Sequence, residues 1–159
     1  MAAAAVGAAR PLPRRAYAGL VSRVAGLSID IAIVSLAAIA VRVIPETAWK
    51  EILNRPAPHW FTFGAGLLAT LLPFLYFTTS WWLAGQTVGA MALGVVLLKR
   101  DGEELGLVHA AARAAVGLTF APLWLVGLLP VLWDHRRRSW LDKVFGTEVR
   151  YAHRKNPTG

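Results

Sequence analysis

Hydrophobic positions in this chain are gathered into long blocks, with the charges pushed to their edges. Between His59 and Ala84 there is no Asp, Glu, Lys or Arg. About 20 apolar residues suffice for a helix to cross a bilayer, so this block predicts a transmembrane helix. Trp60 stands at one end and Trp81 and Trp82 at the other, 21 and 22 positions away. At 1.5 Å per residue that is about 32 Å, the thickness of the hydrocarbon core, so the tryptophans read as two interfacial belts. Pro73 predicts a bend, which membrane helices tolerate where neighbours satisfy the freed carbonyl.

An earlier block, from about Leu20 to Ile44, is also long enough to cross. It carries Arg23 near its start and Asp30 near its middle. A carboxylate at the centre of a membrane helix costs about 2.5–3.5 kcal/mol on insertion scales, so Asp30 calls for a partner or a role. A cleaved signal peptide is not expected, because the apolar run is too long and the first ten residues hold one basic side chain. A third block, Ala114 to Trp133, is broken by Pro122, Gly127 and Pro130. Two short stretches, Gly94–Lys99 and Thr147–Tyr151, read as strands, the first ending in a turn at Asp101-Gly102. The expected architecture is an all-α membrane protein. It has two full transmembrane helices, a third bent re-entrant or membrane-spanning apolar segment, and a small cytoplasmic β-hairpin-like pairing. Residues 16–151 form the membrane domain, between a disordered basic arm at 1–15 and a disordered basic tail at 152–159.

Composition agrees with the blocks: 56% of residues are hydrophobic and 16% charged, and there is no cysteine. A soluble domain carries about 25% charged residues. The missing cysteine excludes a disulfide scaffold, a cysteine-ligated zinc module and a thiol enzyme. The net charge of +8 is concentrated at the two ends. The loop holding Glu46, Lys50, Glu51 and Arg55 sums to zero. The positive-inside rule then places both termini in the cytoplasm. That placement favours a third block that does not fully cross. Arg136, Arg137 and Arg138 beside Trp140 are expected to meet anionic lipid headgroups, and no nucleic acid is expected.

The four histidines show no metal-ligand spacing, and neither a phosphate loop nor a nucleophile elbow is present, so no metal, no cofactor and no enzyme activity is expected. Arg23 and Asp30 are two helical turns apart, about 10 Å along one face, too far for an easy direct contact. The chain offers Asp142 as partner for Arg23 and Arg113 for Asp30. His109 and Arg113, four residues apart, could join Asp30 in a proton pathway. Gly85, Gln86, Thr87 and Gly89 form an interfacial motif, read either as a headgroup contact or as a helix start with Thr87 as N-cap.

The order of these motifs resembles the RDD family of bacterial membrane proteins. That family carries an arginine before its first helix and an aspartate within it, matched by Arg23 and Asp30. A Gly-Gln-Thr segment, a short strand and an Asp-Gly turn follow, matched by Gly85-Gln86-Thr87, Gly94-Val95-Val96 and Asp101-Gly102. Arg113 stands in the next helix, and the closing stretch reads Trp140-Leu141-Asp142 through Gly146-Thr147-Glu148-Val149. The resemblance implies Asp142 as the second family aspartate, with Asp134 close enough to share its role. Ala90 stands where the family usually has lysine. Multi-pass placement in the bacterial inner membrane is implied more firmly than any activity. Some members are linked to cation/proton antiport, so one expectation is transport-related exchange of a monovalent cation and a proton through a path containing Asp30. The other is a structural or accessory subunit of a larger membrane transporter or cell-envelope complex. Either fits a homo-oligomer or a larger membrane complex in the lipid bilayer.

Overall fold

The computed structural model describes residues 17–120 and 127–152. The two expected basic arms and Pro122 lie outside the described residues. The order of elements is α1 (Leu20–Leu53), α2 (His59–Ala84), α3 (Val88–Ala92), β1 (Val95–Lys99), α4 (Leu107–Thr119), α5 (Pro130–Trp133), α6 (Trp140–Phe145) and β2 (Thr147–Tyr151). The fold is mostly helical, and α1 and α2 are each long and apolar enough to cross a membrane.

Both long helices are built inside out. Along α1 the buried residues are Gly26, Asp30 and Val34, four apart, so they form one stripe on one face. Leu36 and Ile39 on α1, and Phe63 and Leu67 on α2, are exposed. Water would penalise such a surface and hydrocarbon would not. The helix α1 does not stop at Ile44. It runs on through Arg42, Pro45, Glu46 and Lys50, ending where Asn54 turns left-handed at φ 48°. Of those residues only Pro45 reads as a stop signal, since arginine, glutamate and lysine are good helix formers, and the helix continues past it.

This extension moves the aromatic belts. Trp49 of α1 packs on Phe61 at 4.9 Å between centroids and edge-on against Trp60 at 6.3 Å. One end of the helix pair therefore lies at Trp49 and Trp60, and the other at Trp81 and Trp82. Asp30 is 19 residues from Trp49, about 28 Å along the axis. It thus lies near the Trp81 end of the crossing rather than at its middle.

At that end the chain forms a cap. Strands β1 and β2 pair antiparallel, with Val95 opposite Tyr151, Leu97 opposite Val149 and Lys99 opposite Thr147. They are not a hairpin, because α4, α5 and α6 intervene. The start of α1 joins the same sheet. Tyr17 bridges Arg150, the Ala18 N–H donates to the Val149 carbonyl at 2.9 Å, and Ser22 Oγ lies 2.7 Å from the Tyr151 hydroxyl. The third apolar block begins earlier than expected, at Leu107, and α4 is 13 residues long, too short to cross. Its inner face packs Ala110 and Ala114 against Phe77 and Trp81 of α2 and Leu97 of β1, forming the core.

Helix α3 lies against α1 at backbone distance. A Cβ on Gly89 would sit 2.0 Å from the Gly26 carbonyl oxygen, a clash with backbone that no rotamer relieves. Gly89→Ala is therefore expected to lower stability by about 1–3 kcal/mol or more. Gly64→Ala, where nothing lies within 4 Å, should leave it unchanged or slightly raised. Thermal unfolding of the two variants in detergent checks both.

Candidate functional site

Among the described residues, three carboxylates are buried at the cap end, Asp142, Asp30 and Glu148, and the two aspartates solve the problem of burial differently. Asp142 sits in the first turn of α6 and is fully buried. Ser139 caps that helix in a reciprocal arrangement. Its hydroxyl accepts from the Asp142 N–H at 3.2 Å, and its own N–H donates to Asp142 Oδ2 at 3.0 Å. This local motif fixes the carboxylate's direction. Arg23 Nη1 then donates to Oδ2 at 2.5 Å, and Arg113 Nη2 to Oδ1 at 2.7 Å. Thr147 closes the ring, accepting from Arg113 Nη1 at 2.7 Å and donating to Asp142 Oδ1 at 3.3 Å. Arg23 is further held by the carbonyls of Arg137 and Ala18, and Arg113 lies over the Trp81 ring at 5.1 Å. Burial works to raise the Asp142 pKa, but the guanidiniums of Arg23 and Arg113 and the Ser139 N–H outweigh it and hold the carboxyl well below the usual range.

Asp30 is also buried, at 3% exposure, and its donors are all neutral. The Tyr76 hydroxyl donates to Oδ1 at 2.7 Å, the Gly89 N–H to Oδ1 at 2.7 Å, and the Thr87 hydroxyl to Oδ2 at 2.5 Å. Thr87 is the N-cap of α3 and accepts from the Ala90 N–H at 3.2 Å. Gly85 ends α2 in the left-handed region at φ 62° and turns the chain back, its carbonyl accepting from Leu97 N–H at 2.7 Å. The Gly85-Gln86-Thr87-Val88-Gly89 segment is thus the cradle of Asp30, a role the sequence did not disclose. Tyr76 was also missed, since one phenol in an apolar run looks like core. Among the described residues, the ion pairs do not include Asp30.

The expected pairing of Arg113 with Asp30 is not what the fold makes. Arg113 faces Asp142 of α6 and Thr147 of β2, which lie within 2.7 Å of its two terminal nitrogens. His109 points away from Asp30 as well, with Nε2 2.9 Å from the Phe145 carbonyl. Among the described residues, Asp30, Arg113 and His109 therefore make no hydrogen bond or ion pair with one another. Asp134 takes separate partners, Arg138 at 3.1 Å and Lys143 at 3.8 Å, so Asp142 alone meets Arg23. The three consecutive arginines turn inward. Arg136 pairs with the buried Glu148 at 3.0 Å, Arg137 donates to the Tyr17 carbonyl at 3.3 Å, and Arg138 binds Asp134.

Removing the charge of Asp142 leaves two buried guanidiniums facing each other. Asp142→Asn is expected to destabilise the cap by about 3–5 kcal/mol, read from thermal unfolding or protease sensitivity. The pH dependence follows from two depressed carboxyls. The side-chain hydrogen bond from Arg138 lowers Asp134 to about 2, and Asp142 also lies below its ordinary value. Stability from such groups is fully present above the unfolded aspartate value of about 3.9 and is lost as pH falls through the folded values. The wild-type melting temperature should hold between about pH 7 and 5 and fall steeply below about 4, with that acid limb weakened in Asp142→Asn.

A family model described as the RDD family matches residues 17–146, a stretch that takes in Asp30, Asp142 and both arginines. No curated protein and no solved structure matches the chain significantly. The match covers the greater part of the sequence, and on it the chain belongs to the RDD family.

Proposed function

We propose that this membrane protein is transport-related and exchanges a proton or a monovalent cation at Asp30. The observation that carries this reading is the uneven division of charge at the cap end. Asp142 takes both Arg23 and Arg113, while Asp30, near one end of a membrane helix, has only neutral donors. An ionisable group so placed is by default a site for an exchangeable ion.

The geometry fits reversible protonation at one oxygen. Oδ1 accepts from a backbone N–H, which cannot reverse, so that oxygen stays an acceptor. Oδ2 meets only the Thr87 hydroxyl, which can rotate from donor to acceptor. A proton on Oδ2 would donate to Thr87 without moving the backbone. A monovalent cation would meet the Asp30 carboxylate and the Thr87 oxygen together. Two helices enclose no path across a bilayer, which supports a homo-oligomer. On this reading both ends of the chain lie in the cytoplasm and the protein in the bacterial inner membrane. The sharing of one sheet by Tyr17–Ala18 and β2 supports the common side, and the charge distribution supports which side it is.

A second reading, an accessory subunit of a larger membrane complex, is favoured by the same three hydrogen bonds, because they also tie α1, α2 and α3 together. Flux separates the two. In proteoliposomes, Asp30→Asn should remove pH-driven monovalent-cation flux while leaving insertion and thermal stability near wild type. Undiminished flux in that variant sinks the transport reading. No flux by the purified wild type, with a larger partner co-purifying until the segment around Asp142 is altered, establishes the accessory one.

A further inference from the structure

A proton and a monovalent metal cation make different demands on the surroundings of Asp30. Charge does not choose between them. With both carboxyls ionised, Arg23, Arg113, Asp142 and Asp30 sum to zero, and either ion adds one positive charge to that set. The titratable group directly against Asp30 is Tyr76 of α2, and α3 brings none. The choice falls to coordination and space.

A hard cation is held by about six oxygen atoms whose lone pairs point at it. An ionised carboxylate offers about four lone-pair sites, two on each oxygen. The Tyr76 hydroxyl and the Gly89 N–H, each at 2.7 Å, fill those of Oδ1, and the Thr87 hydroxyl at 2.5 Å takes one of those on Oδ2. The neighbouring hydroxyl oxygens are accepting too, Tyr76 from the Val88 N–H at 3.1 Å and Thr87 from the Ala90 N–H at 3.2 Å. The Gly89 N–H is fixed by the backbone and presents a hydrogen, which repels a cation. Nor is there room on that side, where a Cβ on Gly89 would fall 2.9 Å from Asp30 Cγ.

A half-open cavity of about 580 Å³ reaches the other side of the carboxyl. Asp30 and Thr87 line it, whereas Tyr76 and Gly89 do not, so the cavity meets Asp30 on its Oδ2–Thr87 side. Gln86 lines it as well, and among the described residues its carboxamide makes no hydrogen bond. A metal ion there finds Oδ2, Thr87 and at most Gln86, about half the oxygens it needs. Leu27, Phe77 and Ala90, also in the wall, supply only carbon side chains. A proton needs one free lone pair on Oδ2 and a Thr87 hydroxyl turned from donor to acceptor, and both are present.

We infer, on the reading that Asp30 is the exchange site, that the ion it exchanges is a proton taken up at Oδ2 from the cavity side, and that sodium and potassium ions are excluded from the carboxylate. A hydronium ion gives up one O–H bond and leaves as water, an O–H bond forms at Oδ2, and the carboxyl becomes neutral. Where a cation is moved against protons, Asp30 carries the proton half of the exchange.

Difference infrared spectroscopy on the full chain in lipid nanodiscs tests it. The protonated-carboxyl band of Asp30 is followed against pH with sodium, potassium or the bulky organic cation N-methylglucamine in the salt. Asp30→Asn assigns the band by removing it. If that variant does not fold, Thr87→Val assigns it instead, because loss of the hydroxyl at Oδ2 shifts the Asp30 band and leaves the other carboxyl bands in place. The wild-type band should titrate with the same midpoint in all three salts. A metal ion competing for the carboxylate at ten times its dissociation constant would lower that midpoint by about one pH unit. A midpoint lowered by sodium or potassium overturns the inference and leaves Asp30 standing as the exchange site. An Asp30 band that titrates in none of the salts, over the pH range in which the protein stays folded, overturns the exchange site itself and the inference with it.

Discussion

One carboxylate, Asp142, pairs with two guanidiniums that arrive on different helices, and the end of the molecule is arranged around it. Arg23 belongs to the first turns of α1 and Arg113 to the middle of α4, so neither can meet Asp142 unless both helices and α6 are in place. All three side chains are nearly or fully buried. Burying any one of them alone would be strongly unfavourable, while together each guanidinium meets a carboxylate oxygen. The hydroxyl of Thr147 and the N–H of Ser139 complete the coordination and bring in β2 and the turn before α6. The cap is thereby made conditional: it forms whole or not at all.

That arrangement determines what is left for Asp30. Both arginines are committed to Asp142, and Asp30 is met by a phenol, a hydroxyl and a backbone N–H. Its surroundings are those of a buried carboxyl group that no cationic side chain meets. The helix geometry then locates it. Tyr76, its partner on α2, precedes Trp81 by five residues, about 7 Å along the axis. Asp30 is therefore within reach of the cap and of the cavity whose wall it shares. The remainder of the helix pair, out to Trp49 and Trp60, presents exposed leucine, isoleucine and phenylalanine to its surroundings. Among the described residues, the buried carboxylates gather at one end of a hydrophobic hairpin.

Much of this could be read from the residues in order. The second helix is bounded by its tryptophans, β1 shows in its apolar run and β2 in the alternation of Thr147, Val149 and Tyr151 with Glu148 and Arg150, and Thr87 stands where an N-cap belongs. Pairing of Arg23 with Asp142 followed from the need of each buried charge for an opposite one. The choice made by Arg113 did not, because helical spacing says which residues share a face and not which distant segment packs against it. Asp30 was expected to find a cation, and it found the backbone of Gly89. That contact exists because two glycines let α1 and α3 touch, and nothing in the pattern of polar residues signals a backbone N–H as a partner. The length of α1 was underestimated for a related reason. Pro45 lacks the N–H that carries a helix on and reads as a stop, whereas here the helix continues until Trp49 reaches the aromatics of α2.

The central claim is that Arg113 serves Asp142 and leaves Asp30 without a cationic partner. Two double-mutant cycles on unfolding free energy test it directly, one pairing Arg113→Gln with Asp142→Asn and the other pairing Arg113→Gln with Asp30→Asn. The account predicts a coupling of about 0.5–3 kcal/mol in the first cycle and additivity within about 0.5 kcal/mol in the second. A coupling between Arg113 and Asp30 as large as that between Arg113 and Asp142 would contradict it.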